Sequence, residues 1–229
     1  MRTLPALILS TLLLLDAVFA QRTMEALNRG VVAVPAEGGG HFVGWRLLGD
    51  DPESIEFNLY QQRSDQPPAR LNNEPISGAT NFLVPAGLVA VQAGYFVRAI
   101  IDKKEGRPSP PAKVWKDGFL EIPIKTIEGY RPGDASVADL DGDGDYEIVL
   151  QQGGRAHDNS HSGLTDTPIL DAYEFDGTHL WRIDLGKNIR DGEHYTQFMV
   201  YDLDGDGRAE LACKTADGSK DGTGKVIGD

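Results

Sequence analysis

Apolar and polar positions alternate in short runs through the first half of the chain. The runs fall at 30–35, 41–48, 55–61, 80–84, 95–101 and 120–125. A period of two is the spacing of a half-buried β-strand, whose successive side chains point to opposite faces. Turn formers separate the runs: Glu37-Gly38-Gly39-Gly40, Gly49-Asp50-Asp51-Pro52, Gln66-Pro67-Pro68 and Arg107-Pro108-Ser109-Pro110-Pro111. Short strands with regular turn signals predict an antiparallel sandwich, here of the fibronectin-III type, over 24–112 within a first domain of 21–112. Trp45 and Tyr95 sit mid-run and read as core residues rather than as a sugar-stacking platform. The Pro-rich stretch 107–111 reads as a linker, and 113–129 as linker or first strand of the second domain.

The second half, 130–229, carries a different pattern. Asp139-Leu140-Asp141-Gly142-Asp143-Gly144-Asp145-Tyr146-Glu147 recurs 63 residues later as Asp202-Leu203-Asp204-Gly205-Asp206-Gly207-Arg208-Ala209-Glu210. Strand-like residues precede both copies, and Ile148-Val149-Leu150 come after the first. Carboxylates at alternate positions of a tight loop converge on one point, and the glycines permit the turn. A main-chain carbonyl at the seventh position, Asp145 or Arg208, adds an oxygen. That donor set suits Ca²⁺. The predicted ligands are Asp139, Asp141, Asp143, Asp145 and Glu147 in one loop, and Asp202, Asp204, Asp206, Arg208 and Glu210 in the other. An EF-hand is excluded, because its twelfth position would be Leu150 or Cys213 instead of a bidentate Glu. Asp176-Gly177-Thr178, between the runs 169–175 and 179–183, is a hairpin signal. Loops repeated at this period in strand-rich sequence predict the first blades of a β-propeller, so the fold class is all-β. Two repeats cannot close a propeller of roughly four to eight blades, so the chain is expected to be part of a longer one.

Charge sharpens the division. The 229 residues carry net charge −13, yet 21–129 contribute only −1 and 130–229 contribute −12. Acids packed at every second position repel one another unless a cation is present. So acidic a chain is a poor match for nucleic acid or for anionic lipid. Its 40% hydrophobic content suffices for a packed core, and its one cysteine, Cys213, excludes an internal disulfide. At the start, Met1-Arg2-Thr3 precedes an apolar run of 12 residues, Leu4 to Leu15, and then Val18-Phe19-Ala20. The run is shorter than the roughly 20 residues a membrane span needs, and the pattern is that of a secretory signal cleaved after Ala20. The expected product is secreted or periplasmic, monomeric and free of the membrane.

The chain also resembles the rhamnogalacturonan lyases of polysaccharide lyase family 11. The resemblance rests on Arg29-Gly30-Val31-Val32-Ala33-Val34, Trp45-Arg46-Leu47-Leu48-Gly49, Asp171-Ala172-Tyr173, the run from Leu180 through Arg190, and the run from His194 through Asp202. It continues from Cys213 to Asp229. It implies a fibronectin-III-like front domain, an eight-bladed calcium-rich propeller, and cleavage of the rhamnogalacturonan I backbone of pectin by β-elimination at galacturonate. Members are much longer than this chain, so this piece alone is expected to be inactive. In that reaction a base removes the C5 proton, α to the C6 carboxylate, and a cation on the carboxylate stabilises the carbanion that forms. The two acidic loops supply most of their own ligands and read as structural sites. Substrate-facing candidates, chosen by residue type and loop position, are Asn159, Asp171, His194 and Lys214. Lys214 is also a weak candidate for the base. Gly222-Thr223-Gly224-Lys225 hints at a phosphate loop, but Ser219 replaces the first glycine and Val226 comes after the lysine, so the spacing fails. The competing reading is a non-catalytic, calcium-dependent carbohydrate-binding or adhesion propeller.

Overall fold

The computed structural model describes residues 25–64, 66–158, 160–192 and 194–228, so the expected signal sequence lies outside it. The described residues are all-β apart from two single 3-10 turns, and no helix among them is long and apolar enough to cross a membrane.

Nine strands build the first half: β1 (Val32–Pro35), β2 (His41–Gly44), β3 (Glu56–Arg63), β4 (Gln66–Arg70), β5 (Ile76–Ser77), β6 (Asn81–Val84), β7 (Gly94–Ile101), β8 (Lys104–Pro108) and β9 (Ala112–Lys113). β1-β2-β6 form one sheet and β4-β3-β7-β8 the other, with β5 and β9 added at the ends of β3 and β7. Both sheets share one core, in which Ala33, Val43 and Val84 meet Phe57, Leu59, Tyr95 and Val97. Trp45 is buried against Phe57 at a ring separation of 5.4 Å, and Tyr95 is wholly buried, its hydroxyl paired with His41 and Gln61. Both aromatics are therefore core. Asp102 and Lys103 take positive φ in the two-residue turn from β7 to β8, whose twist matches that of the strands.

Four local expectations fail, and the first is the turn read at Gln66-Pro67-Pro68, which instead opens the edge strand β4. The Pro-rich stretch is no linker: β8 runs to Pro108, the Ser109 amide bonds the Val97 carbonyl, and β9 still pairs with β7. Proline is tolerated there because β8 is an edge strand. The first unit thus reaches past residue 112, with the Trp115 amide bonding Ala33. The run 120–125 forms no strand. Pro123 lacks a donor, and the Lys125 carbonyl is taken by the side chains of Gln152 and Arg182 instead of a ladder partner. The run 41–48 is also cut short at Gly44, after which Trp45 and Arg46 bond Thr80 and Arg29.

The second half contains β10 (Arg131–Ala138), β11 (Glu147–Gly153), β12 (Ile169–Tyr173), β13 (His179–Asp184), β14 (Phe198–Tyr201), β15 (Glu210–Cys213), β16 (Ser219–Lys220) and β17 (Val226–Ile227). β10 to β13 form an antiparallel meander that β16 and β17 extend, while β14 and β15 form a separate pair. The expected Asp-Gly turn joins β12 to β13, although β12 ends at Tyr173 and leaves Phe175 in the turn. Phe198, Leu211 and Cys213 of the separate pair pack on Leu170, Leu185 and Ile189, so the two strand sets share a core.

This topology sorts the connections. Antiparallel neighbours place the loop 139–146 and the turn 174–178 at one end of the meander, and the connections 154–168 and 185–197 at the other. The loop 202–209 joins the first end, where the Ala209 amide bonds the Asp139 carbonyl at 2.7 Å.

Candidate functional site

Both acidic loops connect the two strands of a hairpin and are wound by their own carboxylates. In the first, Asp139 is buried and accepts the amides of Gly142 at 2.6 Å and Gly144 at 2.8 Å. Asp141 accepts the Asp143 amide, Asp143 the Asp145 amide, and Glu147 the Leu140 amide. The second repeats this bond for bond: Asp202 takes Gly205 and Gly207, Asp204 takes Asp206, Asp206 takes Arg208, and Glu210 takes Leu203. Gly142, Gly144, Gly205 and Gly207 all adopt φ between 78° and 93°, a region that glycine enters without steric cost.

Oxygens of Asp139, Asp141 and Glu147 lie within 4.8 Å of one another, as do those of Asp202, Asp204 and Asp206. These are the side chains that could hold a cation. The remaining predicted ligands are placed otherwise. Asp145 turns one carboxylate oxygen to Asn28, and the Arg208 side chain lies over Gly142 of the first loop, leaving Arg208 only its main-chain carbonyl to offer. The donor chemistry fits a hard divalent ion, because every candidate ligand is an oxygen. Glu147 strengthens this fit: it is wholly buried, and its Oε1 has no hydrogen-bond partner. Burial, followed by the charges of Glu174, Asp141 and Asp139, pushes its carboxyl up to about 7 against the pull of the Leu140 amide. A buried carboxylate oxygen with no donor is costly unless a cation or a proton meets it.

The first loop is also gripped from outside. Glu25 accepts the Asp139 amide, Asn28 bonds both Gly144 and Asp145, and the Arg46 guanidinium sits 3.9 Å from the Tyr146 ring centroid. Nothing in the spacing of Glu25, Asn28 and Arg46 announced this contact.

The substrate candidates divide. Asn159 lies outside the described residues. Asp171, expected to face substrate, is wholly buried mid-strand instead and bonds Gln152, His179 and Arg182. Burial alone would raise its carboxyl, but these hydrogen bonds, Arg182 foremost, hold it below the usual carboxylate range. Its role is to anchor β12 to β13. His194 and Lys214 lie at the end of the meander opposite the acidic loops. There His194 Nδ1 is 2.8 and 2.7 Å from the two Asp158 oxygens. The Lys214 ammonium and the Arg190 guanidinium lie 5.7 and 5.6 Å from the Tyr195 ring centroid.

Asp158 lies in the loop stretch 155–159 that the sequence marks as substrate-facing, but no individual role is legible there for it or for Arg190 and Asp191. Arg190 donates to the carbonyls of His157, Asp158, His161 and Gly163 and so shapes the connection that carries Asp158. Asp191 is buried, which raises its carboxyl, and its main chain bonds His157 and Thr165. The available signal was a clustering of His, Asp and Arg in both connections at this end.

Residues 22–115 match the family model described as the rhamnogalacturonan I lyases beta-sheet domain, and residues 121–229 match the C-terminal domain of rhamnogalacturonan lyase family 11. The chain is 47% identical to the rhamnogalacturonan exolyase YesX and 49% identical to the endolyase YesW, both of Bacillus subtilis strain 168. The matches take in 91% of this chain but only 35% and 34% of those proteins, so the chain spans about a third of their length. The crystal structure of YesX superposes with a TM-score of 0.80, and that of a Bacillus licheniformis rhamnogalacturonan lyase, 50% identical, with 0.78 over 91% of this chain and 36% of that one.

Proposed function

The chain belongs to rhamnogalacturonan lyase family 11, and from that premise we propose that it forms the front third of a secreted or periplasmic lyase. That enzyme cleaves the rhamnogalacturonan I backbone of pectin by β-elimination at galacturonate. In this reading the two-sheet unit is a fibronectin-III-like sandwich. The β10–β13 meander is the first blade of a propeller, and β14–β15 begin the second. Residues 1–20 direct export, and the enzyme acts as a monomer.

The unpartnered Glu147 oxygen, enclosed with Asp139 and Asp141, is the observation that supports calcium. Asp139, Asp141 and Glu147 hold one ion, and Asp202, Asp204 and Asp206 the other, with Asp143, Asp145, Arg208 and Glu210 completing the loops. Bound there, calcium neutralises converging carboxylates and fixes the hairpin ends. These loops wind themselves shut with their own amides, so the role is structural. The chemistry belongs to the opposite end, where His194 and Lys214 are carried, with Asn159 kept as a substrate candidate on its residue type alone. Abstraction of the C5 proton builds negative charge beside an existing carboxylate, and a positive side chain there lowers that barrier.

The test is to incubate the complete lyase polypeptide with rhamnogalacturonan and calcium. Ultraviolet absorbance of a 4,5-unsaturated uronide is expected to rise. New ends carrying a saturated, hydrolysed uronate would overturn the reading. The 229-residue chain alone is expected to show no turnover, because it brings only part of the cleft.

A further inference from the structure

We propose that His194 and Asp158 form the proton-accepting pair of the lyase site, with Lys214 holding the uronate carboxylate beside it. The assignment rests on the lyase reading above and deepens it. Three observations carry it. First, His194 Nδ1 is held by both Asp158 oxygens, at 2.8 and 2.7 Å. A carboxylate on Nδ1 fixes the tautomer that keeps its proton there and leaves the Nε2 lone pair as an acceptor. Among the described residues none hydrogen-bonds Nε2, and the His194 side chain is 63% exposed, so the lone pair is open to a ligand.

Second, the pair is built rather than incidental. Asp158 and His194 come from different connections, and the two are locked together from both sides. Arg190 spends its guanidinium on four carbonyls of 157–163, and the His157 amide bonds the Asp191 carbonyl. Gly192 packs so tightly on the His157 and Asp158 backbone that an added Cβ would lie 2.8 Å from the His157 carbonyl oxygen. Arg190 is thus a positioning residue for Asp158.

Third, a cation without a carboxylate partner stands nearby. Lys214 lies over Tyr195, the residue after His194, and makes no ion pair among the described residues. It borders an open groove of about 790 Å³ between Ser136 of β10 and the Met199 and Cys213 positions of β14 and β15. A uronate carboxylate is the ligand class such an ammonium takes.

In the elimination, His194 Nε2 takes the C5 proton, and the C5–H electron pair forms the C4–C5 double bond. The bond from C4 to the rhamnosyl oxygen breaks, and that oxygen takes a proton from water. The imidazolium proton then neutralises the hydroxide and restores the base.

Steady-state kinetics of the complete lyase polypeptide with calcium test the assignment. His194→Gln is expected to lower kcat by about 100-fold or more, with KM within about threefold of wild type. Asp158→Asn is expected to lower kcat by about 10-fold and to shift the acidic limb of the pH profile. Lys214→Met is expected to act chiefly on KM. Unchanged melting temperatures separate these effects from misfolding, and Asp158→Asn still decides the matter if the His194 variant fails to fold. An unaltered pH profile in Asp158→Asn, or a His194→Gln enzyme keeping more than about a tenth of kcat, overturns the pair while the lyase reading stands. A wild-type enzyme that makes no unsaturated product overturns both.

Discussion

The loops 139–147 and 202–210 share their acids, their glycines and their internal hydrogen bonds, yet they occupy different surroundings. The first buries Glu147 completely and is held by Glu25, Asn28, Arg46 and Ala209. The second leaves Leu203 exposed where Leu140 is partly covered, and Glu210 only half-buried. A cation held in the first loop would fix a junction between the two halves of the chain, whereas one in the second would fix a hairpin. Affinity and structural consequence therefore depend on the neighbours, even where the ligand sequence is the same.

The sharpest way to break this comparison is to remove the leading aspartate of each loop. Asp139→Ala removes the acceptor of two amides and a proposed cation ligand, and is expected to cost about 4 kcal/mol in thermal unfolding with calcium present. Asp202→Ala should cost roughly half as much, because fewer contacts outside its loop depend on it. Equal losses would erase the distinction. Next in size is the cation itself. Calcium at about 100 times its dissociation constant is expected to add about 2.7 kcal/mol, and a chelator to reverse this. A melting temperature indifferent to both would remove calcium from the account of these loops.

Asp171 supplies a contrast within the same sheet, since its carboxylate is met by Arg182 and His179 rather than by an added ion. Asp171→Asn is expected to cost about 2 kcal/mol at neutral pH, whether or not calcium is present. Its carboxyl lies below the ordinary value in the fold, so its contribution is complete above the unfolded-state pKa and fades as pH falls through the folded value. Wild type and variant should therefore converge in acid unfolding curves. The smallest effect expected is that of Arg46→Ala, about 1 kcal/mol, from loss of the Tyr146 contact. Calorimetry should show the first loop's calcium affinity moving toward that of the second.

Much of this fold was legible in the pattern. Alternation located most of the sandwich strands, and Asp176-Gly177 located the turn from β12 to β13. The recurring acids located both loops and the strands beside them. Proline and lysine misled, because Pro108 was tolerated on an edge and the Lys125 carbonyl was taken by side chains. Asp171 looked like a surface acid at a strand end, since no periodicity reveals that Arg182 and His179 fold over it.

What the chain determined alone was whatever depends on near neighbours: strand runs, glycine turns and carboxylates two residues apart that wind a loop. Those interactions close within about ten residues, so their spacing is written in order along the sequence. Only the tertiary structure decided which acids are buried, which are paired, and that Asp158 meets His194 across 36 residues. Those pairings arise because antiparallel strands return distant connections to the same end of a sheet, and linear order does not record which side chains then meet.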